Sequence, residues 1–403
     1  MKLKVIIAHT YYQQPGGEDQ VYEAEADLLE SRGHDVVRYK LHNDEVREMG
    51  RWALAKATVW NGRVRKELGE LVRRHRADVV HFHNTFPLIS PAAYGAAMAA
   101  GAAVVQTLHN FRLLCVNPVL LREGRICEEC VGKAVAWPGV YHGCYRGSRS
   151  ASAVLAMTTA VHWALGTWKG KVDRYIAPSG FARAKLIEGG LPAEKIATKR
   201  HFVNPDPGIG DGSGGYAVFV GRLATEKGLA TLLKAWSQLK VGIPLKIVGD
   251  GPMAGLVRDA GQGGRIEWLG RKPAAEVYGI IGQASFLVLP SECYETFGRV
   301  VAEAYAKGTP VIASRLGALA ELVEHGRTGL LFGAGDAEDL AGQVEAMVAD
   351  PQRLAKMRRE ARGEFEAKYT GSRNYEQMMV IYEEAVAAQK QRKDRGRGVV
   401  LER

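Results

Sequence analysis

The chain lacks a hydrophobic run long enough to cross a membrane as a helix. Its longest apolar stretch, SASAVLAMTTAVHWALGTW, contains His162 and falls short of the roughly 20 apolar residues that span a bilayer core. The opening MKLKVIIAHT runs straight into strand-like residues and shows no separate apolar region of a signal peptide. These absences predict a cytoplasmic protein without a spanning segment.

Other missing motifs count against particular classes of function. The turn after the first predicted strand, AHTYYQQPGGEDQ, is too long for the G-x-G-x-x-G pattern of dinucleotide-binding proteins and has only paired glycines. Basic motifs interleaved with aromatic residues are absent, so no nucleic-acid partner is predicted. The sequence has no clustered Asp-x-Asp pair to bind magnesium. A dinucleotide-dependent oxidoreductase is therefore the least favoured alternative.

Positive charge, in contrast, is in excess, with a net charge of +10 at pH 7 over 403 residues. Basic residues gather in NGRVRKELGELVRRHRAD and in the tail QKQRKDRGRG. The first stretch is predicted to be a helix that presents either a solvated face or a patch for an anionic membrane. The basic tail, residues 391–403, is predicted to be a disordered, solvated end.

Short β-branched runs alternate with helix-period segments along most of the chain. The runs are KLKVIIAH, HDVVRY, ADVVHFH, AAVVQTLH, VDRYIAPS, YAVFVGRL, PLKIVGDG, RIEWLG, ASFLVLPS and PVIAS. This alternation predicts parallel sheets with right-handed crossovers, an α/β architecture. The segment NPDPGIGDGSGG, residues 204–215, is rich in Pro, Gly and Asp and is predicted to be a linker between two such series. The sequence thus predicts two doubly wound domains.

Polar residues follow many of these predicted strands. Ligands of open parallel sheets bind outside the carboxyl ends of the strands, so these positions are candidates for a site. In the first half they are His9 to Gly17, His81, His83, His109 and Asn110; in the second they are Arg222 to Lys227, Gly249 to Pro252, Arg271 and Ser291 to Arg299.

The stretch LPSECYETFGRVVAEAYAKGTPVIAS holds two glutamates, Glu295 and Glu303, outside the apolar stripe of a predicted helix. Gly298 would allow close backbone approach near the helix start, where the dipole favours phosphate. Eight helical residues rise about 12 Å. The two carboxylates are therefore predicted to accept hydroxyl hydrogen bonds at opposite ends of a nucleotide-linked ligand.

A second block, VGRLATEKG, follows a predicted strand and brings Arg222 and Lys227 to the same edge. Two cations there could neutralise a diphosphate and stabilise it as a leaving group. Taken alone, this block and IVGDGP are ordinary turns and helix starts. Their coincidence with the two glutamates favours a shared site.

These residues resemble retaining glycosyltransferases of family 4, which have the GT-B fold of two Rossmann-like domains facing across a cleft. VGRLATEKGLATLLKAW, LKIVGDGP, WLGRKPAAEVYGII and LVLPSECYETFGRVVAEAYAKGTPVIAS resemble successive blocks of that family. The first half matches more sparsely, in GGEDQVYEAEADLLESRGHDV, VVHFHN and TLHN. The resemblance implies an acceptor-side domain over residues 1–205 and a donor domain over residues 206–371, with a helix of about residues 372–390 packing back on the first domain.

The resemblance also implies roles for individual residues. Glu303 would bind the ribose and Glu295 the donor sugar, Arg222 and Lys227 would hold the diphosphate, and His109 would approach the sugar from the other domain. The implied catalytic set is His109, Arg222, Lys227 and Glu295, and the implied donor-binding set is Gly16, Gly17, Gly221, Gly249, Arg271, Thr296, Phe297, Gly298, Arg299 and Glu303. His83 and Asn84 are assigned to the acceptor side.

The implied reaction moves a hexose from a nucleotide diphosphate with retention at the anomeric carbon. The leaving phosphate would help to accept the acceptor's proton, so neither a protein nucleophile nor a catalytic metal is required. A UDP-sugar is the first expectation for the donor and GDP-mannose the second. The acceptor would be a saccharide or a lipid-linked sugar of polysaccharide or glycoconjugate synthesis, at the cytoplasmic face of an anionic membrane. A catalytically silent sugar-nucleotide-binding protein of the same fold is the main alternative.

Four cysteines fall in one segment, LLCVNPVLLREGRICEECVGKAVAWPGVYHGC, at Cys115, Cys127, Cys130 and Cys144. In a cytoplasmic chain such a set favours a tetrahedral thiolate zinc site over disulfides. Reduced or redox-active thiols and an iron–sulfur cluster stay open as alternatives. The remaining cysteine, Cys293, is predicted to be a small loop residue near the sugar pocket.

Overall fold

The structure, a computed structural model, describes residues 2–14 and 16–401, and for residues 395–401 it describes the backbone alone. The described residues cluster into two compact units. The first contains the chain up to Pro118, Glu128–Lys199 and the residues from Tyr375 onward. The second contains Val119–Cys127 and Arg200–Asn374.

The strands are short and mostly buried. They are β1 Lys4–Tyr11, β2 Asp35–His42, β3 Val79–Phe82, β4 Ala103–Thr107, β5 Leu121–Arg122, β6 Arg125–Ile126, β7 Arg174–Ala177, β8 Ile196–Thr198, β9 Ala217–Val220, β10 Leu245–Val248, β11 Ile266–Gly270, β12 Phe286–Leu289, β13 Val311–Ser314 and β14 Gly329–Phe332.

The helices that connect and follow these strands are α1 Gly17–Ser31, α2 Arg51–Val59, α3 Gly62–His75, α4 Ala92–Ala99, α5 Trp137–Tyr141, α6 Arg149–Ala164, α7 Thr167–Gly170, α8 Gly180–Glu188, α9 Leu229–Gln238, α10 Ala254–Gly261, α11 Ala274–Gln283, α12 Arg299–Ala306, α13 Leu319–Leu322, α14 Ala337–Ala349, α15 Pro351–Lys368 and α16 Gly371–Leu401. Short 3-10 turns span Asn43–Glu48, Ala193–Lys195 and Thr225–Lys227.

Each unit is built on one six-stranded parallel sheet. The first sheet has the order β2-β1-β3-β4-β7-β8 and the second β11-β10-β9-β12-β13-β14. The chain reverses its direction of travel across the sheet between β1 and β3 in the first unit and between β9 and β12 in the second. Such a switch point opens a crevice at the carboxyl ends of the strands. The predicted architecture of two doubly wound α/β domains is confirmed.

Helices cover both faces of these sheets, so the strands are apolar on both sides. Every residue of β3, β4, β12, β13 and β14 is buried. In the second unit Phe219 and Trp236 lie in the core on one side of the sheet, and Val301 and Tyr305 of α12 lie in the core on the other. These two layers hold the strand ends, and the loops that follow them, in fixed positions.

The last helix belongs mainly to the first unit. Met378, Ile381 and Tyr382 of α16 pack with Val79 and Val105 in one apolar cluster. The basic tail, predicted as a disordered end, instead continues this helix to Leu401, and residues 402–403 lie outside the described part of the chain. The prediction of disorder was wrong for residues 391–401 because the helix extends from a packed segment.

Other local predictions can be compared with the structure directly. Residues 204–215, predicted as the linker, form neither helix nor strand and lie within the second unit. The long apolar run falls mainly in α6, where Leu155, Ala156 and His162 are buried. Across the described residues, every helix is too short or too polar to pass through a lipid bilayer.

Candidate functional site

Two loops of the second unit meet beside its switch point. The loop after β9 carries Lys227 at the end of a 3-10 turn, and the loop after β12 carries Glu295. Lys227 Nζ lies 2.5 Å from Glu295 Oε1, and Ser291 Oγ donates to the same oxygen at 2.8 Å. The ion pair therefore joins the loops of two neighbouring strands.

Both members of this pair are charged. Burial works to lower the pKa of Lys227, but the charge and the hydrogen bond of Glu295 outweigh it, so this pKa is raised. Burial works to raise the pKa of Glu295, but Lys227 and Ser291 outweigh it, so this pKa is lowered. Among the described residues, every hydrogen bond to the Glu295 carboxylate goes to Oε1. Its other oxygen, Oε2, is available to accept a hydrogen bond from a hydroxyl group.

Arg222 has a different setting from Lys227, although both were predicted to bind a diphosphate. Its side chain is 61% exposed, whereas that of Lys227 is 24% exposed. The guanidinium pairs with Glu226 in the same loop. The structure therefore places one largely buried cation and one exposed cation after β9.

The helix that was predicted to carry both glutamates begins later than expected. Helix α12 begins at Arg299, so Glu295 lies in the loop before it, and the prediction of eight helical residues between Glu295 and Glu303 was wrong. The reason is Gly298, whose φ of 80° is left-handed. A Cβ there would also approach Leu319 Cδ2 to 2.7 Å, so the Leu319 side chain would have to shift.

Glu303 lies on α12 itself and forms an ion pair with Arg299, with 3.3 Å between Oε1 and Nη2. Both side chains are largely buried. Among the described side chains none caps α12, and its dipole end is positive. Thr296 and the buried Phe297 lie in the loop immediately before this helix start. The structure thus gathers these predicted donor-binding residues at one helix end.

The glycines predicted at the ends of β9 and β10 hold their loops together. A Cβ on Gly249, whose φ is 137°, would lie 1.9 Å from the carbonyl oxygen of Gly221. The Gly249 N–H donates to the Gly270 carbonyl at 2.8 Å, which fixes the loop after β11 as well. Arg271 follows directly and is exposed. These glycines therefore allow the backbones of the loops after β9, β10 and β11 to approach one another closely at the carboxyl edge of the sheet.

Cys293 lies between Ser291 and Glu295 in the loop after β12 and is buried. Burial and, next, the negative charge of Glu295 raise the pKa of its thiol to about 12. The thiol is therefore protonated near neutral pH and is a poor nucleophile. This agrees with its predicted role as a small loop residue.

In the first unit, histidines meet where β1, β3 and β4 end. His83 follows β3 and His109 follows β4, and their Nδ1 and Nε2 atoms lie 3.0 Å apart. The structure therefore brings together one residue predicted for the acceptor side and one predicted for catalysis. Asn84 is placed differently, because its amide donates to the Thr10 carbonyl at 2.9 Å and its oxygen accepts from the Phe86 N–H at 3.1 Å.

A buried ion pair lies beneath these histidines. Lys199 Nζ bonds to Glu25 Oε1, and both side chains are fully buried. Burial is the main cause that lowers the pKa of His83 well below its usual value, and it lowers that of His109 to about 4. Both rings are thus neutral at physiological pH.

Glu25, His81 and His83 are the one group within the described residues whose ligand atoms lie close enough for a metal. Two observations count against a metal there. Both ring nitrogens of His81 already form hydrogen bonds, Nδ1 with the Tyr382 hydroxyl at 2.8 Å and Nε2 with the Thr107 hydroxyl at 2.7 Å. Lys199 already supplies a cation to Glu25.

The loop after β1 is ordered by an aspartate that the sequence analysis did not select. Asp19 Oδ1 lies 2.7 Å from His9 Nε2, and Asp19 Oδ2 accepts from the Gly16 N–H at 2.7 Å. Gly17 begins α1. Asp19, Glu25 and Lys199 were all missed, and the signal for Glu25 was its spacing among buried positions of α1 at Tyr22, Ala26 and Leu29.

Three of the four clustered cysteines, Cys115, Cys130 and Cys144, belong to the first unit, and Cys127 belongs to the second. None of the five described cysteines is in a disulfide. A hydrogen bond between the side chains of Cys115 and Cys130 is the main cause that raises the pKa of Cys115 and lowers that of Cys130 to about 7. Zinc binding by this set stays a prediction.

Comparison with known proteins extends these observations. The family model described as Glycosyltransferase Family 4 matches residues 15–206, and the one described as Glycosyl transferases group 1 matches residues 211–364. A D-inositol 3-phosphate glycosyltransferase of Pseudarthrobacter chlorophenolicus is 30% identical over 310 residues, 73% of this chain and 69% of that protein. A glycogen synthase of Mycobacterium tuberculosis is 31% identical over 192 residues, which span 45% of this chain and 44% of that protein.

Solved structures share the fold at lower identity. HepE of Anabaena in complex with UDP has a TM-score of 0.67 and 17% identity, with 94% of this chain and 98% of that chain covered. Sucrose-phosphate synthase of Thermosynechococcus elongatus has a TM-score of 0.72 and 18% identity, with 96% and 100% covered. The expected GT-B fold is thereby confirmed. Together with the family models and the relative matched over most of its length, this shows that the chain belongs to glycosyltransferase family 4.

Proposed function

We propose that this protein transfers a hexose from a UDP-sugar to a saccharide or lipid-linked acceptor, with retention at the anomeric carbon. The observation that carries the proposal is the largely buried Lys227–Glu295 pair beside the switch point of the second sheet. HepE, which shares the fold, has structures with UDP and with UDP-glucose, and this supports UDP over GDP-mannose for the donor.

The arrangement suits departure of a diphosphate. Lys227 is held in place by Glu295, so little reorganisation is needed when negative charge develops on the leaving group. The exposed guanidinium of Arg222 can close on the same phosphates once they bind. The positive end of α12 adds a partial charge of the same sign.

Glu295 is better suited to binding than to nucleophilic attack. Its Oε1 is committed to Lys227 and Ser291, and its Oε2 can accept a hydroxyl of the donor sugar. The neighbouring Cys293 thiol is protonated. A reaction in which the leaving phosphate receives the acceptor's proton needs no protein nucleophile, which supports retention by front-face attack.

We also propose that the first unit docks on an anionic membrane, near lipid-linked acceptors. Helices α2 and α5 both pack on α6. These helices expose large apolar side chains, with Trp52 90% exposed and Trp137 60% exposed, and Met157 lies exposed on α6 itself. Aromatic side chains of this kind insert at the lipid interface.

Basic residues lie on α2, on α3 and at the start of α6 and would attract anionic lipid. They are Arg51 and Lys56 on α2, Arg63, Arg65 and Lys66 on α3, and Arg149 at the start of α6. Each such charge near an anionic surface contributes about 1 kcal/mol. Charge and exposed tryptophan together favour peripheral binding.

A structural zinc held by Cys115, Cys130 and Cys144 is a third proposal; within the described residues their sulfur atoms are not grouped closely enough for a metal, so zinc binding would have to draw them together. The Cys130 thiol has its pKa lowered to about 7, and backbone N–H groups reach the sulfurs of Cys115 and Cys130 from Asn117 and Gly139. Cys144 is close enough to affect the pKa of Cys115. Zinc binds thiolates, so it would also have to deprotonate Cys115, whose pKa is raised by the hydrogen bond with Cys130. The role of Cys127 stays a prediction from the sequence.

Replacing Lys227 or Arg222 by alanine should lower kcat, because each change removes a cation that stabilises the leaving diphosphate. The expected loss is on the order of 100- to 1,000-fold. Glu303→Ala should mainly weaken UDP binding. Turnover of the UDP-sugar and calorimetric UDP binding would be measured, with Lys234→Ala, an exposed lysine on α9, as the control. Turnover close to wild type in both basic variants would contradict the assignment.

Removing the exposed tryptophans should weaken membrane binding without harming chemistry. The double variant Trp52→Ala, Trp137→Ala is expected to lose about 10-fold in sedimentation with phosphatidylserine vesicles, because interfacial burial of both rings is lost. Leu256→Ala, which removes an exposed apolar side chain of the second unit, is the control. Unchanged vesicle binding by the double variant would refute the proposed surface.

The zinc proposal predicts about one zinc per purified chain by plasma mass spectrometry. Cys130→Ser should lose the metal and lower Tm, because a structural zinc adds directly to folding free energy. Cys293→Ser removes a cysteine outside the set and should keep the metal. Metal-free wild-type protein with an unchanged Tm would count against the site.

A further inference from the structure

Glu25, His83 and His109 form a chain of side chains through the interior of the first unit. His83 and His109 follow the neighbouring parallel strands β3 and β4, so their side chains meet at one edge of the sheet. Glu25 comes from α1, with its Oε2 atom 3.6 Å from His83 Nε2. Glu25 and His83 are almost completely buried, so water does not screen this chain.

The His83–His109 contact fixes how the two rings share their hydrogens. Both rings are neutral because burial lowers their pKa values, so each carries one N–H. The 3.0 Å contact joins His83 Nδ1 to His109 Nε2, and one of these two atoms must donate to the other. Two arrangements are therefore available, and they give His109 opposite tautomers.

Glu25 distinguishes the two arrangements. Its Oε2 atom and His83 Nε2 are both buried and have no hydrogen-bond partner within the described residues. A carboxylate only accepts hydrogen bonds, so it attracts an N–H at His83 Nε2 and repels a lone pair there. The ion pair with Lys199 fixes the carboxylate in this position. His81 does not interfere, since its two nitrogens bond to Tyr382 and Thr107.

We propose that Glu25, acting through His83, holds His109 in the Nε2–H tautomer. With the hydrogen of His83 on Nε2, its Nδ1 accepts from His109 Nε2–H, and Nδ1 of His109 is then the acceptor atom of that ring. If His109 approaches the donor sugar, as the resemblance to family 4 implies, it accepts a hydrogen bond from a sugar hydroxyl. Glu25 and His83 are positioning residues in this arrangement and do not touch the substrate.

Long-range ¹H–¹⁵N spectra of the full chain, labelled with ¹⁵N-histidine, test the proposal directly because they report which nitrogen of each ring is protonated. We expect Nε2–H for both His83 and His109. His162 is an internal reference, since its Nε2 lies 2.9 Å from the Val59 carbonyl oxygen and must donate. A spectrum with His109 or His83 protonated at Nδ1 would overturn the proposal.

The variant Glu25→Gln, Lys199→Met tests causation and keeps the buried pair neutral, which protects folding. The glutamine amide can donate to His83 Nε2, so both rings should change to Nδ1–H while His162 stays unchanged. The expected kinetic result is a fall of about 10-fold in kcat/KM for the donor, with Tm near that of wild type. Unchanged tautomers would overturn the proposal. Changed tautomers with an unchanged kcat/KM would support the proposed tautomer of His109. The same result would refute a contact of His109 with the donor sugar.

Discussion

The largely buried ion pair of Lys227 and Glu295 is the interaction on which the candidate site depends. It joins the loops after β9 and β12 on the two sides of the switch point. Removing one member of such a pair costs about 3–5 kcal/mol, because the other charge stays buried without compensation. The pair therefore sets the shape of the crevice and also places a fixed cation beside the helix end that favours phosphate.

The first unit also has a lysine–glutamate ion pair next to the carboxyl ends of its strands. Lys199 and Glu25 form a fully buried pair beneath the ends of β3 and β4, where His83 and His109 meet. In both units, one carboxylate oxygen is bonded to a lysine and the other has no such bond. The second carboxylate oxygen can therefore accept a hydrogen bond in each unit. In the second unit we expect the donor to be a sugar hydroxyl, and in the first unit a histidine N–H.

The sequence predicted the fold well because the strands are apolar, short and separated by helical periodicity. It missed β8 and β14, which are edge strands of three and four residues, and the two-residue strands β5 and β6. It was wrong about the helix around Glu295, since a glycine inside an apolar pattern did not reveal the left-handed turn at Gly298. Glu25 and Lys199 were missed because their partner lies 174 positions away along the chain. Pairings at that separation are set by the tertiary fold and leave no local pattern.

The most direct test of the central claim is a thermal-shift comparison of the purified protein with UDP, GDP, ADP, TDP and NAD. A ligand that binds only the folded state stabilises it by about 2.7 kcal/mol at 100 times its Kd. The account predicts a rise in Tm with UDP that exceeds the rise with every other nucleotide. A rise with NAD alone, or no rise with any nucleoside diphosphate, would contradict it.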